Sequence, residues 1–275
     1  MSTKIYWFSG SGNSLATARM LAEKLPDAEL IPIAQAVHRP PEAADLIGLV
    51  FPVYAFGPPA LVETFINKLQ VKPDSYVFSV STCAVTAGST LHFIRRALRK
   101  RGIRLNAAWT VRQPENYPPL GGTPGLKSQE RTHAKADEKI ALIAQALLSR
   151  TAVIEKSGLF WRLAGLLIYP SFRFFEKHGA DRPFRADQSC NSCGICEKLC
   201  PVQNIEIRNG QPIWLGHCEQ CFACFHWCPQ NAVQYGWSSW IRRYHHPRTS
   251  LSDFLQQHQD VEQQAIFCRG TEARF

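Results

Sequence analysis

Lys4-Ile5-Tyr6-Trp7-Phe8 runs directly into Ser9-Gly10-Ser11-Gly12-Asn13-Ser14, and an apolar-periodic stretch follows to about Leu25. The first five residues read as a buried strand and the last stretch as a helix, with six small or polar residues between them. Strand, glycine- and hydroxyl-rich turn, then helix is an anion-binding arrangement. Backbone N–H groups at the helix start face the anion, and small side chains let it come close. The lysine and the GxxxxGK spacing of a nucleoside-triphosphate loop are absent, as is the GxGxxG of a dinucleotide fold. Hydroxyls in place of the lysine suit a monophosphate held by neutral donors. A generic turn with a serine N-cap is the plainer alternative, and six consecutive small or polar residues make it the weaker one.

Outward from this turn the pattern alternates. Ala28 to Ile33, Asp45 to Phe51, Tyr76 to Val80 and Leu105 to Val111 read as further strands. Pro59 to Leu69, Ser89 to Arg101 and Ser128 to Arg150 read as helices, the last with Ile140, Ile143, Ala144 and Leu147 on one face. Such alternation predicts a doubly wound parallel sheet, whose ligands sit at the carboxyl ends of the strands. Those ends carry unusual loops: Pro52-Val53-Tyr54-Ala55-Phe56-Gly57-Pro58-Pro59, Ser81-Thr82-Cys83-Ala84-Val85-Thr86-Ala87-Gly88, and Gln113-Pro114-Glu115-Asn116-Tyr117-Pro118-Pro119.

The second half is dominated by Cys190-x2-Cys193-x2-Cys196-x3-Cys200-Pro201 and Cys218-x2-Cys221-x2-Cys224-x3-Cys228-Pro229. This is the bacterial ferredoxin run for two 4Fe–4S clusters. Three closely spaced thiolates wrap one cubane, and the fourth, beside proline, ligates the other. That rule assigns Cys190, Cys193, Cys196 and Cys228 to one cluster, and Cys218, Cys221, Cys224 and Cys200 to its partner. Zinc sites use simpler pairs, and a disulfide framework belongs to secreted chains. Asn209-Gly210 between Ile205-Glu206-Ile207 and Pro212-Ile213-Trp214 predicts a hairpin.

Taken together, these motifs resemble the flavodoxin–ferredoxin fusion family over nearly the full length. Its members carry a Phe-Ser-Gly-x-Gly-Asn-Ser/Thr loop, a Pro-Val-Tyr-Ala-Phe-Gly-Pro segment, a Pro-x-Asn-Tyr segment and a two-cluster ferredoxin. The resemblance implies a flavodoxin-like sheet of order 2-1-3-4-5 and an FMN whose phosphate sits on Ser9 to Ser14. It implies that the Pro52–Gly57 loop and the loop with Ser81, Thr82, Cys83 and Gly88 flank the flavin. Tyr54 and Phe56 would touch the ring, Gly57 and Gly88 would let amides approach its polar edge, and Asn116 and Tyr117 would contribute from the third loop. Ordinary flavodoxins are acidic, whereas this chain carries a net charge of +9. Basic residues near the ring would stabilise its anionic reduced form.

The implied domains are residues 1–150 (flavodoxin-like), 151–182 (an aromatic and basic linker), 183–237 (ferredoxin) and 238–275 (tail). The linker contains Gly158-Leu-Phe-Trp-Arg-Leu-Ala-Gly-Leu-Leu-Ile-Tyr169, too short to span a bilayer. It is expected to pack across the domain interface, with contact to a membrane surface the less favoured reading. In the tail, a helix is expected near Leu251 to Gln264, and Tyr244-His245-His246-Pro247 has no companion metal ligands at suitable spacing. Cys83 and Cys268 read as small hydrophobes.

The basic excess gathers at Arg95, Arg96, Arg99, Lys100, Arg101 and Arg104, with a second group at Arg242, Arg243, Arg248, His245 and His246. A solvated helix end is the plain reading; a docking patch for an acidic redox partner is the functional one. No nucleic-acid motif is present. The start reads as a strand rather than a leader, so the cytoplasm is the expected compartment. An electron carrier linking a partner protein, two clusters and FMN is the favoured function. An FMN-dependent reductase of a small molecule comes second, with Gln113 to Gly125 as a substrate lid, and a flavin-free docking protein third.

Overall fold

The computed structural model describes residues 1–39 and 43–255. The chain begins β1 (Thr3–Trp7), α1 (Asn13–Ala22), β2 (Ala28–Pro32), α2 (Ile33–Ala36), β3 (Leu46–Pro52) and α3 (Ala60–Lys68). It continues β4 (Tyr76–Cys83), α4 (Thr90–Lys100), β5 (Leu105–Arg112) and α5 (Leu126–Leu148). The five strands are parallel in the order β2-β1-β3-β4-β5, a flavodoxin-like doubly wound sheet. The central strands are buried along nearly their whole length because helices cover both faces. α1 and α5 pack on one side with Leu15, Leu21, Ile140 and Leu147, and α2, α3 and α4 on the other with Ile33, Val62, Phe65 and Ile94.

The expected linker holds regular structure. Val153 and Glu155 bond to Ala108 on the open edge of β5, which shields that edge from further pairing. Leu159–Lys177 is a 19-residue helix, α6, that carries Pro170 in its interior. Arg173 pairs with Glu63 of α3, and the Tyr169 hydroxyl donates to the Pro58 carbonyl at 2.6 Å. The Tyr169 ring lies 4.8 Å from Phe93 of α4. α6 is therefore an added layer outside α3 and α4.

The cysteine-rich unit is built from β6 (Phe184–Ala186), α7 (Ile195–Leu199), β7 (Ile205–Arg208), β8 (Gln211–Trp214), α8 (Ala223–His226) and β9 (Val233–Tyr235). β6 pairs with β9 and β7 with β8, each pair antiparallel. Asn209 (φ 49°) and Gly210 (φ 77°) make the expected two-residue turn, whose left-handed positions match the strand twist. Residues 251–255 are helical, and the rest of the predicted tail helix lies outside the described residues, as does Cys268.

Candidate functional site: a cavity between the two units

At the carboxyl ends of β1, β3, β4 and β5 lies a cavity of about 550 Å³. Its first wall consists of Ser9, Gly10, Ser11, Asn13 and Ser14. Gly12 starts α1 in the left-handed region (φ 106°) and its amide donates to Ser9 Oγ at 3.1 Å. Ser14 Oγ lies 2.7 Å from Thr82 Oγ1, which ties this loop to the end of β4.

Pro52, Val53, Tyr54, Ala55 and Phe56 form the second wall. Tyr54 and Gly57 exchange both backbone hydrogen bonds, and the two residues between them, Ala55 (φ 46°) and Phe56 (φ 67°), are held left-handed. That conformation costs roughly 1–3 kcal/mol for a residue with a side chain and persists only where the surroundings impose it. Here the rings impose it: Tyr54 packs against Phe8 and Phe172, and Phe56 against Trp161. Burial raises the Tyr54 phenol well above its ordinary pKa, so it stays protonated.

Thr82, Cys83, Asn116 and Tyr117 complete the predicted set that lines the cavity. The Cys83 thiol is pushed up to about 12, chiefly by burial, so it is a neutral thiol rather than a reactive one. Asn116 donates from its amide to Ser11 Oγ.

Four predicted residues do something else. Gly12 lies beneath Thr249 and His246, which occupy the space a side chain would need. Ser81 is buried in the sheet against Trp109 and Thr110. Gly57 leaves room for the Tyr169 ring, and its amide is spent on Tyr54. Gly88 leaves room for Phe56. Both glycines were expected to present amides to a ring edge; they serve instead to seat α6 and the Phe56 loop. Among the described residues no lysine or arginine lines the cavity, and the charged member there is Glu115. Arg112, Lys135 and Lys139 line a contiguous, more polar groove of about 590 Å³ that shares Gln113, Pro114 and Glu115 with it.

Sequence reasoning missed the wall supplied from far along the chain. Trp161, Ile168 and Phe172 come from α6, and Gln220, Cys221 and Phe222 from the cysteine-rich unit. A side chain at Gly10 would collide with the Cys221 carbonyl. Trp227 donates from its indole to the Gly10 carbonyl at 2.9 Å, and the His246 amide donates to the Ser11 carbonyl at 3.0 Å. The Tyr244 hydroxyl donates to Asn13 Oδ1 at 2.6 Å. The tail histidines are thus packing groups. His246 is buried with its ring 4.5 Å from His133, and His245 stacks on Trp227 at 4.0 Å.

The eight repeat cysteines fall into two groups. Cys190, Cys193, Cys196 and Cys228 line one small pocket with Ile207, Pro212 and Val233. Burial pushes the Cys196 thiol up to about 12, with Cys228, Cys193 and Cys190 adding to the shift. Burial likewise raises Cys221, and there the neighbouring thiols are Cys200 and Cys218. Cys228 therefore lies with the thiols of the first repeat and Cys200 near those of the second. Backbone amides of Asn204, Gln220 and Ala232 point at the sulfurs of Cys200, Cys218 and Cys228, at 3.1, 3.3 and 3.3 Å. Among the described residues no group of three or more His, Cys, Asp or Glu is arranged to hold a single metal ion. A cubane makes a different demand, one thiolate on each of four separate irons.

No protein-family model matches the chain, and no curated protein does. Among solved structures, the chain resembles rubredoxin oxygen:oxidoreductase from Desulfovibrio gigas at 16% identity, over 55% of this chain and 37% of that one, with a TM-score of 0.33. It thus spans little more than a third of that enzyme. A flavodoxin from Streptococcus pneumoniae TIGR4 matches at 16% identity over 52% of this chain and 99% of its own, with a TM-score of 0.33. An FMN-dependent NADH-azoreductase from Bacillus anthracis matches at 6% identity over 52% of this chain and 100% of its own, with a TM-score of 0.34. Likenesses this weak add nothing to the topology, which the strand order gives by itself.

Proposed function

We propose that this chain is an electron-transfer flavo-iron–sulfur protein, carrying electrons between an external redox partner, two 4Fe–4S clusters and FMN. The observation that carries the reading is the shared wall. Cys221, a cluster ligand by the reading above, and Phe222 border the same cavity as the Ser9–Ser14 loop and the Tyr54–Phe56 turn. The residues fit both groups. Ser9, Ser11, Asn13, Ser14 and Thr82 offer neutral donors for a phosphate, and the aromatic loop offers flat apolar surface for a ring system. The crossed cysteine grouping offers four thiolates to each cubane. When bound, FMN accepts two electrons and releases them singly, while a cubane carries one at a time.

The chain's own residues would then hold these groups close and dry. The buried thiols and the amides aimed at Cys200, Cys218 and Cys228 are the protein's means of setting cluster potentials. Tyr54 and Phe56 shield the ring site, and Asn116 steadies Ser11. No acid–base pair is needed.

The groove lined by Arg112, Lys135 and Lys139 favours a second reading, in which FMN reduces an anionic small molecule held there. The deciding experiment is an anaerobic absorbance spectrum with iron and flavin quantification. About eight irons and about one FMN per chain support the reading. Absence of flavin after anaerobic purification and FMN addition defeats it. Turnover that is abolished by Arg112→Ala, with FMN retained, would favour the reductase.

A further inference from the structure

α6 has two very different sides. Gly165, Tyr169 and Glu176 face the protein, and Phe172 supports the Tyr54 ring. The opposite side carries Leu159, Phe160, Leu163, Leu166, Leu167 and Phe174, mostly three and four residues apart, and all six are exposed, with Phe174 stacked only by His178 of the same segment. Leu167 is 76% exposed and Phe160 72%. Isolated exposed leucines are ordinary, but a contiguous apolar stripe marks a binding surface. At 1.5 Å per residue the helix is about 28 Å long.

Its neighbour supplies the charge. α4 lies alongside through Phe93 against Tyr169 and through Ser89 Oγ, which donates to the Arg162 carbonyl at 2.5 Å. α4 buries Leu91, Ile94 and Leu98 against the sheet and exposes Arg95, Arg96, Arg99 and Lys100, with Arg101 and Arg104 just beyond. None of these six cations has an ion-pair partner among the described residues. Two members of the second basic group are used internally: Arg248 pairs with Asp137, and Arg243 lies over the Phe225 ring. The unpaired cluster of α4 is carried by the helix that packs alongside α6. Among the described residues no helix is long and apolar enough to cross a membrane.

We propose that α6 and α4 together dock this protein on an anionic lipid surface, the stripe entering the headgroup boundary and the cations meeting lipid phosphates. A bare apolar helix lying in the interface plane, flanked by arginine and lysine, is the arrangement such surfaces select. The stripe runs the length of a helix lying flat beside a row of cations, as in an interfacial amphipathic helix, whereas a protein interface gathers its apolar core inside a polar rim. Docking would also act on the cavity, since Trp161, Ile168 and Phe172 of the same helix form its wall. The proposal goes beyond the electron-transfer reading and stands without it.

The test is co-sedimentation of the full-length protein with phosphatidylcholine vesicles, with and without phosphatidylglycerol, at low and high salt. Binding is expected to the anionic vesicles alone and to weaken with salt. Arg95→Ser, Arg96→Ser and Arg99→Ser should each weaken it about fivefold. Leu163→Glu with Leu167→Glu should weaken it at least about tenfold. Circular dichroism of all variants should match the unaltered protein, which separates lost docking from lost folding. Failure to pellet with anionic vesicles at low salt would overturn the proposal. So would equal binding to neutral vesicles, or a dimer in light scattering that Leu167→Glu dissolves, which would assign the stripe to a second copy. None of these outcomes touches the iron and flavin content that tests the preceding reading.

Discussion

The two units of this chain are stabilised by opposite means. The parallel sheet buries five strands between two helical layers, and its core includes fully buried Phe51, Phe65 and Phe78. The cysteine-rich unit has strands of three and four residues and a core whose apolar members are Phe184, Ile205, Phe222, Phe225, Val233 and Ile241. Such short two-stranded pairs are marginal alone, and small units of this kind rely on metal or other staples. The sheet carries a large core of its own, whereas the second unit, on the cluster reading proposed above, is expected to draw most of its stability from iron and from the surface of the first.

The largest test of this contrast is iron removal by anaerobic chelation. Hydrogen exchange should then show amides of β6 to β9 losing protection while β3 and β4 keep theirs. Equal loss in both units would erase the distinction. Next is Gly10→Ala, which drives a methyl into the Cys221 carbonyl and pushes the units apart. A cost of about 3 kcal/mol in urea unfolding is expected, typical of severe overpacking, together with weaker FMN binding.

A pH test follows. Burial, then His133, lower the His246 pKa to about 3. The folded state therefore holds this ring neutral, while the unfolded chain takes a proton near pH 6.5. Its contribution is complete above pH 6.5 and is lost as pH falls toward 3. From pH 7 to pH 5 the loss should be about 2 kcal/mol, and His246→Gln should flatten that slope in denaturant titrations. The smallest effect is expected of Trp227→Phe, which removes the donor to the Gly10 carbonyl at about 1 kcal/mol. If the units are independent, even this variant will leave the unfolding curve unchanged.

What was legible in the sequence was what local chemistry dictates. The five strands announced themselves through apolar runs, and their ends differ from expectation by only a few residues, most at β4. Asn209-Gly210 announced its turn. The helical form of α6 within the expected linker was not legible because its apolar residues fall on both its sides: one packs on Phe93 and Pro58, the other is exposed, so no single amphipathic stripe stood out. Gly57 and Gly88 were credited with approach to a ligand because a glycine in a loop does not reveal whether a ligand or a neighbouring ring needs the space. The contacts of Ser11 with His246, and of Gly10 with Cys221, join residues more than two hundred positions apart. No local pattern encodes them.

The wrapping of the Ser9–Ser14 loop also sets an order in time. Its Gly10 carbonyl, Ser11 carbonyl and Asn13 amide find their partners in Trp227, His246 and Tyr244. At ordinary rates of synthesis, the ribosome delivers those partners about 10–50 s after the loop has emerged. Throughout that interval the sheet can form while the loop stands open to solvent. Closure waits on residues 227–246, so a nascent chain stalled anywhere before Trp227 would show an unfinished pocket to the proteases and chaperones that police new proteins.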